Sequence, residues 1–334
     1  DIYFEYDNKI KANINEMKDK IRNSNDLENF REELKILEKK ITIFHSKVVE
    51  DTLKTRGLDI DFIGFHGQTI YHNSNKKISK QLGDGHLLSN LTKKTVVFNF
   101  RKNDLINGGE GAPLIPIFHK LLAQKHKFKL PLVILNIGGI TNFTYIGKEN
   151  TNKNFYSADI GPGNCLIDEW IKKNSNKDYD NEGSIAKSGN IDKIILNQAI
   201  ESWEHKFNNL TSTRSFDVKD FDLSFVRGLS LSNGAATLTE YTSQILSSYI
   251  SKILNEKNII VCGGGRKNKF LIEEISKKIG TDLRMIDDFG INGDFVESNG
   301  FAYIAIRSFL NLPISFPETT GCNKPSHGGT VVKY

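Results

Sequence analysis

Two apolar runs that break off into glycine constrain this chain more than any other feature. Leu130 to Asn136 is a mostly apolar run of the kind buried strands have, and it leads into Gly138 and Gly139. Asn258 to Cys262 reads as a strand ending in Gly263, Gly264 and Gly265. Glycines after a strand let backbone N–H groups approach a phosphate or a nucleotide closely. They also make ordinary tight turns, so each cluster alone is a weak signal. Neither follows the dinucleotide spacing GxGxxG or the P-loop spacing GxxxxGK[ST], which disfavours both of those folds.

Between the two clusters lies SADIGPGNCLID, residues 157–168. Asp159 stands directly before Gly161-Pro162-Gly163, and a helix-like pattern, Cys165 to Lys173, follows at once. The glycines widen the accessible backbone angles and Pro162 stiffens the turn. A carboxylate held there, at a helix N-terminus that favours anions, suits a general base beside a phosphate. The plainer alternative is that Asp159 caps the helix.

Strands and helices alternate around these turns, which predicts an α/β protein. Residues 8–56 carry helical apolar spacing (Ile14, Met17, Ile21, then Leu34, Leu37, Ile41, Phe44, Val48) and predict two amphipathic helices. Further strands are expected over Asp59–Phe65, Thr95–Phe100 and Asn142–Tyr145. Helices are expected over Pro113–Gln124, around 190–206, and over Thr237–Leu254 and Phe270–Ile279, and Val296–Leu310 closes the regular structure. A length of 334 residues suits two domains. The Lys-rich stretch 120–129 is the best boundary, giving domains 1–127 and 128–310, with 311–334 packing back on the first.

The net charge of +5 comes from interspersed lysines and acids without a basic run, so it is mild surface charge and not a nucleic-acid footprint. Cys165, Cys262 and Cys322 lie far apart without CxxC spacing, so neither a disulfide framework nor a metal site is indicated, and a reducing cytoplasm fits. No apolar run reaches the ~18 residues of a membrane helix, and no signal peptide opens the chain.

In the first half, polar side chains collect at strand ends. His66 and Gln68 follow Gly64-Phe65, Arg101 and Asp104 follow Asn99-Phe100, and Gly108-Gly109-Glu110-Gly111 comes next. Such places line binding clefts in α/β folds, and Gln68, Arg101 and Asp104 would suit a sugar or another polyol. A lone His66 is more often structural, and an Arg101–Asp104 surface pair would contribute little.

These stretches together resemble the anhydro-N-acetylmuramic acid kinase family. The matching segments are GFHGQTIYH (64–72), LGDGHLLSNLTKKTVVFNFRKNDLINGGEGAPLIPIFHKLL (82–122), LNIGGITNFTYI (135–146), DIGPGNCLIDEW (159–170), DYDNEGSIAKSG (178–189), STRSFD (212–217), ATLTEYT (236–242), VCGGGRKNKFL (261–271) and GINGDFVESNGFAYIAIRSFLNLP (290–313). They run in family order over almost the whole chain. The resemblance implies two RNase-H-like domains of the actin, Hsp70 and sugar-kinase class, facing each other across a cleft. It implies ATP with Mg²⁺, a sugar substrate and a homodimer, with no nucleic acid and no membrane partner. The implied reaction opens 1,6-anhydro-N-acetylmuramic acid with water and phosphorylates O6.

By that resemblance Asp159 matches the general base. Asn136, Gly138 and Gly139 match the loop near the phosphates, with Gly161 and Gly163 beside it. Gly263, Gly264, Gly265 and Asn268 match the nucleotide loop. His66, Gln68, Arg101 and Asp104 lie where the family lines its sugar pocket, and the Arg101 fork suits a lactyl carboxylate. Glu297 matches an acid near the substrate. Three positions depart from the pattern: Ile160 replaces Thr, Asn99 replaces Asp and Glu110 replaces Gln. The family's opening Met-Ser-Gly-Thr-Ser-x-Asp-Gly phosphate stretch has no match, and Asp1 to Ile21 aligns with the segment after it. The first domain is therefore expected to lack its opening strands. Two alternatives compete with the kinase: a truncated, binding-only relative, and another nucleotide-dependent member of the same fold, such as a phosphatase or a chaperone-type ATPase.

Overall fold

The computed structural model describes residues 1–148, 154–207, 215–254 and 256–334; residues 212–214 of the STRSFD stretch lie outside these. The chain opens with α1 (Asn8–Lys20), the short α2 (Asp26–Asn29) and α3 (Arg31–Arg56). The Asp7 side chain caps α1 by accepting from the Ile10 amide, and Gly57, at φ 59°, ends α3 in the left-handed conformation glycine adopts cheaply. Ile10, Ile14 and Met17 of the first helix, with Ile21 just past its end, meet Leu34, Leu37 and Ile41 of the third. That spacing of three and four residues puts them on one face each.

Next come β1 (Phe62–Phe65), β2 (Gln68–Asn73), β3 (Ile78–Leu82), α4 (Gly85–Thr92), β4 (Thr95–Phe98), α5 (Arg101–Ile106) and α6 (Pro116–Lys125). The middle of the chain forms β5 (Leu132–Ile137), β6 (Ile140–Ile146), β7 (Phe155–Pro162), α7 (Cys165–Asn174), α8 (Ser184–Lys187), α9 (Lys193–Phe207) and α10 (Leu231–Tyr249). It continues through β8 (Ile259–Cys262), α11 (Lys269–Ile279), β9 (Arg284–Met285), α12 (Val296–Phe309), α13 (Pro317–Thr320) and β10 (Thr330–Val332). This is a mixed α/β protein. No described helix is long and apolar enough to cross a membrane.

The chain forms two compact units, Asp1–Phe118 with Ser298–Tyr334, and His119–Glu297. In the first, β4 lies between β1, parallel to it, and β10, antiparallel to it. β2 and β3 form a separate hairpin, whose Ile70, Tyr71 and Leu82 join the core of the opening helices.

The second unit is built on one five-stranded sheet in the order β7-β6-β5-β8-β9. β5 runs antiparallel to β6, and β6 antiparallel to β7, while β8 and β9 continue parallel to β5. Val133, Ile134 and Leu135 are fully buried, which is why the central strand reads as a continuous apolar run. Each such side chain contributes about 1.5–3 kcal/mol by burial. α10 is buried nearly all round because it serves two cores. Leu246 packs with the sheet and α11, while Leu238, Tyr241 and Ile245 pack with α7 and α9.

The expected turn at Asp159 differs in the structure. Residues 155–162 are the strand β7, paired with β6 as far as Pro162 opposite Ile140. Proline is compatible with that place because β7 is an edge strand and Pro162 is its last residue.

Candidate active site

In the second unit three strands end on the same side of the sheet. β5 and β8 are parallel neighbours, with Asn136 beside Cys262, so Gly138-Gly139 and Gly263-Gly264-Gly265 leave the sheet side by side. β7 runs in the same direction as β5, two antiparallel steps away, so Gly161-Pro162-Gly163 ends there too. The carboxyl ends of the strands are where open α/β sheets bind ligands.

The turns are fastened to one another. The amides of Gly163 and Cys165 donate to the Gly139 carbonyl at 2.9 and 3.2 Å, and that of Asn164 donates to the Gly138 carbonyl at 2.9 Å. The amides of Asn164 and Cys165, at the start of α7, thus hold the neighbouring turn. Asn136 stands under the third turn, its Oδ1 3.8 Å from the Cys262 sulfur.

The glycines fall into two groups by what a Cβ would meet. At Gly163 it would lie 2.3 Å from the Gly138 carbonyl oxygen, at Gly263 2.4 Å from Asn136 Oδ1, and at Gly265 2.2 Å from Ile137 Cγ2. At Gly161 it would lie 2.8 Å from Ile245 Cγ2. Packing accounts for these four. At Gly264 nothing lies within 4 Å, at Gly138 the nearest atom is the Ile140 oxygen at 3.4 Å, and at Gly139 it is Cys165 Cβ at 3.8 Å. These three have room above the backbone, as close approach of a ligand requires.

Asp159 lies near the end of β7, almost buried, and its Oδ2 accepts from the Phe216 amide at 2.8 Å. Thr141 pairs with Gly161 but Asn142 pairs with Asp159, which leaves Ile160 as the extra residue of a β-bulge. Bulges re-aim the side chains beside them. Ile160 itself enters the core, so the departure from Thr there fills apolar space. Asn142, directly across from Asp159, shares its face of the sheet.

Sequence reasoning missed Arg266. Its guanidinium donates to the Gly263 carbonyl at 3.0 Å, to Asp294 Oδ1 at 2.8 Å, and to both oxygens of Asp287 at 2.6 and 3.1 Å. Burial opposes its charge, but Asp287 and Asp294 outweigh burial and hold its pKa above the ordinary value. The hydrogen bond from Arg266 in turn lowers the pKa of each carboxyl. The partners lie 21 and 28 residues downstream, so no local signal announces this pin on the glycine turn. Asn268 caps α11, accepting from the Leu271 amide at 3.1 Å. Glu297 is exposed in the first turn of α12.

In the first unit, His66, Arg101 and Asp104 are largely engaged with the protein itself. His66 Nδ1 donates to the Gly67 carbonyl at 2.8 Å, so its Nε2 is free to accept from Arg101 Nη2 at 3.1 Å and Nε at 3.3 Å. Burial, then the Arg101 charge, pushes the His66 pKa down to about 3. Arg101 Nη1 also donates to the Gly111 carbonyl at 2.8 Å. Asp104 is buried, with Oδ2 accepting from the Gly111 amide and Oδ1 from the Thr320 hydroxyl, both at 2.6 Å. Gln68 opens β2 and donates to the Thr69 carbonyl at 3.3 Å. His66, Arg101 and the 108–111 turn therefore come together, with Asp104 beneath them as their tie. Asn99 has φ 61°, a conformation that Asn tolerates better than most residues.

Fold and site define a mixed α/β protein that gathers three glycine turns and one carboxylate at the carboxyl ends of a sheet. The family model described as anhydro-N-acetylmuramic acid kinase matches residues 3–333. A protein of that name from Pelagibacter ubique (strain HTCC1062) is 50% identical over 342 aligned positions, covering 100% of this chain and 90% of the relative. One from Brucella canis is 39% identical over 309 positions, covering 90% of this chain and 81% of the relative. Among solved structures, the activator of the 2-hydroxyisocaproyl-CoA dehydratase from Clostridium difficile with bound ADPNP covers 55% of this chain and 65% of its own. It is 16% identical with a TM-score of 0.34, too slight a likeness to carry an argument. The chain belongs to the anhydro-N-acetylmuramic acid kinase family.

Proposed function

We propose that this chain uses ATP and water to open 1,6-anhydro-N-acetylmuramic acid and phosphorylate O6, giving N-acetylmuramic acid 6-phosphate and ADP in cytoplasmic recycling of cell-wall sugar. Asp159 takes a proton from water, whose oxygen bonds to the anomeric carbon as the C1–O6 bond breaks. The released O6 attacks the γ-phosphorus, and the bond to the ADP oxygen breaks. The protein's part is then positioning and charge neutralisation. Gly139 and Gly264 give the phosphates access to backbone amides, Gly138 leaves room beside them while its own amide donates to the Ile140 carbonyl at 3.1 Å, and Arg266 holds the third turn in shape. His66, Gln68 and Arg101 serve the sugar, and Asp104 fixes their loop.

The order β7-β6-β5-β8-β9 supports an RNase-H-like second unit, with three antiparallel strands followed by two parallel to the first. Among the described residues no cluster of His, Cys, Asp and Glu could hold a metal ion. That suits Mg²⁺ carried on nucleotide phosphates, which needs only one or two carboxylates. Glu297 is in the unit of the glycine turns and would serve; the ion would neutralise phosphate charge. A homodimer is part of the same reading.

The carrying observation is a carboxylate at a bulged strand end on the same side of the sheet as three uncrowded glycines. A coupled ADP-release assay with 1,6-anhydro-N-acetylmuramic acid and Mg-ATP tests it. Sugar-dependent release is expected, and Asp159→Asn should lower turnover by about 10³-fold, within the range of general base catalysis, while both ligands still bind by calorimetry. Near-normal turnover of Asp159→Asn would remove the base; no release at all from the folded chain would remove the reaction.

A further inference from the structure

β6 is an inner strand, flanked by β5 and β7, and Asn142 sits in it between two fully buried neighbours, Thr141 and Phe143. Asn is disfavoured in strands, so its presence here needs a reason. Internal hydrogen bonding does not supply one. The other β6 side chains nearby are committed inside the protein: the Thr141 hydroxyl donates to the Pro162 carbonyl at 3.2 Å, and the Thr144 hydroxyl lies 2.7 Å from His119 Nδ1. Asn142 has no side-chain hydrogen bond among the described residues and is only partly buried, so its amide opens onto space and not onto the core.

The strand pairing says what that space adjoins. Asn142 lies opposite Asp159 on β7 and opposite Asn136 on β5, and Asn136 lies beside Cys262 on β8. Directly paired residues point to one face, so a polar row crosses the carboxyl ends of the sheet, from the carboxylate toward the 263–265 turn. Directly opposite side chains have Cβ atoms about 4.5–5.5 Å apart. One water can bridge two oxygens at that range, since each O–H···O bond spans about 2.7–2.8 Å.

A water that attacks carbon has two O–H bonds to direct. A base takes one hydrogen, and a loose second hydrogen lets the lone pair swing off the carbon. A neutral amide oxygen suits that second hydrogen: it accepts a hydrogen bond, whereas another carboxylate there would oppose the charge of the base. We propose that Asn142 is a second catalytic residue, whose Oδ1 accepts the hydrogen of the attacking water that Asp159 does not take. One O–H proton passes to Asp159, the water oxygen bonds to the anomeric carbon, and the C1–O6 electron pair leaves with O6. The O–H held by Asn142 stays intact. The inference rests on the proposed role of Asp159 as base.

Steady-state kinetics on Asn142→Ala and Asn142→Asp, beside the unsubstituted chain, test it. Asn142→Ala should lower kcat about 10²-fold, the loss expected of a misdirected nucleophile, with the KM for sugar and for ATP within about twofold of normal. Asn142→Asp keeps the size, the shape and an acceptor oxygen but sets a second carboxylate across from Asp159. Like charges disfavour ionisation of the base, so the acid limb of the kcat profile should move to higher pH by about one unit. Normal kcat in Asn142→Ala would overturn the proposal. So would an Asn142→Asp profile that matches the unsubstituted chain, because a residue that only packs tolerates its isostere. Where thermal unfolding shows that Asn142→Ala is not folded, the Asn142→Asp profile decides alone. Absence of ADP release from the folded, unsubstituted chain removes the reaction itself; normal release with an indifferent Asn142→Asp removes only the role of Asn142.

Discussion

At the carboxyl ends of β5 and β8, Gly138, Gly139 and Gly264 leave space above the backbone; past the end of β4, Asp104 leaves none. Both places have glycines and polar residues after a strand, and both suggested a binding site. They differ in where the polar groups are already committed. The Asp104 carboxylate accepts from Gly111 and Thr320 inside the protein, and a Cβ at Gly109 would lie 2.3 Å from it. A glycine there is packing, and an aspartate there is a tie. At Gly264 the missing Cβ has no packing reason. A strand-end motif is therefore informative about ligands only after internal partners have been subtracted.

The sharpest test of that comparison pairs two adjacent glycines. Gly265→Val should destabilise the protein by about 3 kcal/mol, because Ile137 occupies the space and overpacking strains backbone and side chain together. Gly264→Val should leave the melting temperature almost unchanged and raise the KM for ATP tenfold or more. Thermal unfolding and nucleotide kinetics on both variants decide it. An unchanged KM in Gly264→Val would mean that room above a glycine does not mark the nucleotide side.

Asp104→Ala breaks the comparison from the other end. It strands the Gly111 amide and the Thr320 hydroxyl, and should cost about 2–3 kcal/mol in chemical denaturation. Sugar KM should then rise only as far as the loose 108–111 turn carries Arg101 with it. Full stability with a large loss of sugar affinity would instead make Asp104 a direct ligand group.

Much of this was legible in sequence, for definite reasons. The strands β5 and β8 announce themselves because both faces are buried, and the spacing of Ile14, Met17, Leu34 and Leu37 announces the opening helices. β7 was not legible: Gly161 and Pro162 read as a turn, and only pairing with β6 makes that segment a strand. β9 and β10, of two and three residues, are too short to show a period. Within the site, the glycine turns were legible, but which glycines are open was not, since that depends on Ile137, Asn136 and Ile245 arriving from elsewhere. Arg266 was missed for the same reason, since Asp287 and Asp294 reach it from far along the chain.

The two units should also differ in their response to acid. Burial holds His45 and His72 near pKa 4 and His66 near 3 in the first unit, with the Arg101 charge adding to the effect at His66 and His72; in the second unit burial holds His119 near 4. Each is depressed from 6.5, so between those values the unfolded chain binds protons that the folded chain does not. The stability these histidines contribute is complete above about pH 6.5 and is lost as pH falls toward 4. Near the middle of that window each should steepen the slope of stability against pH by about 1.4 kcal/mol per pH unit. His72→Gln keeps a polar group beside the Ser79 hydroxyl, 3.0 Å from His72 Nδ1, and removes the titration. Denaturant midpoints at pH 7 and pH 5 should then converge relative to the unsubstituted chain. If they do not, carboxylates and not these histidines govern acid sensitivity, and the first unit's strand-end cluster is less dry than its hydrogen bonds indicate.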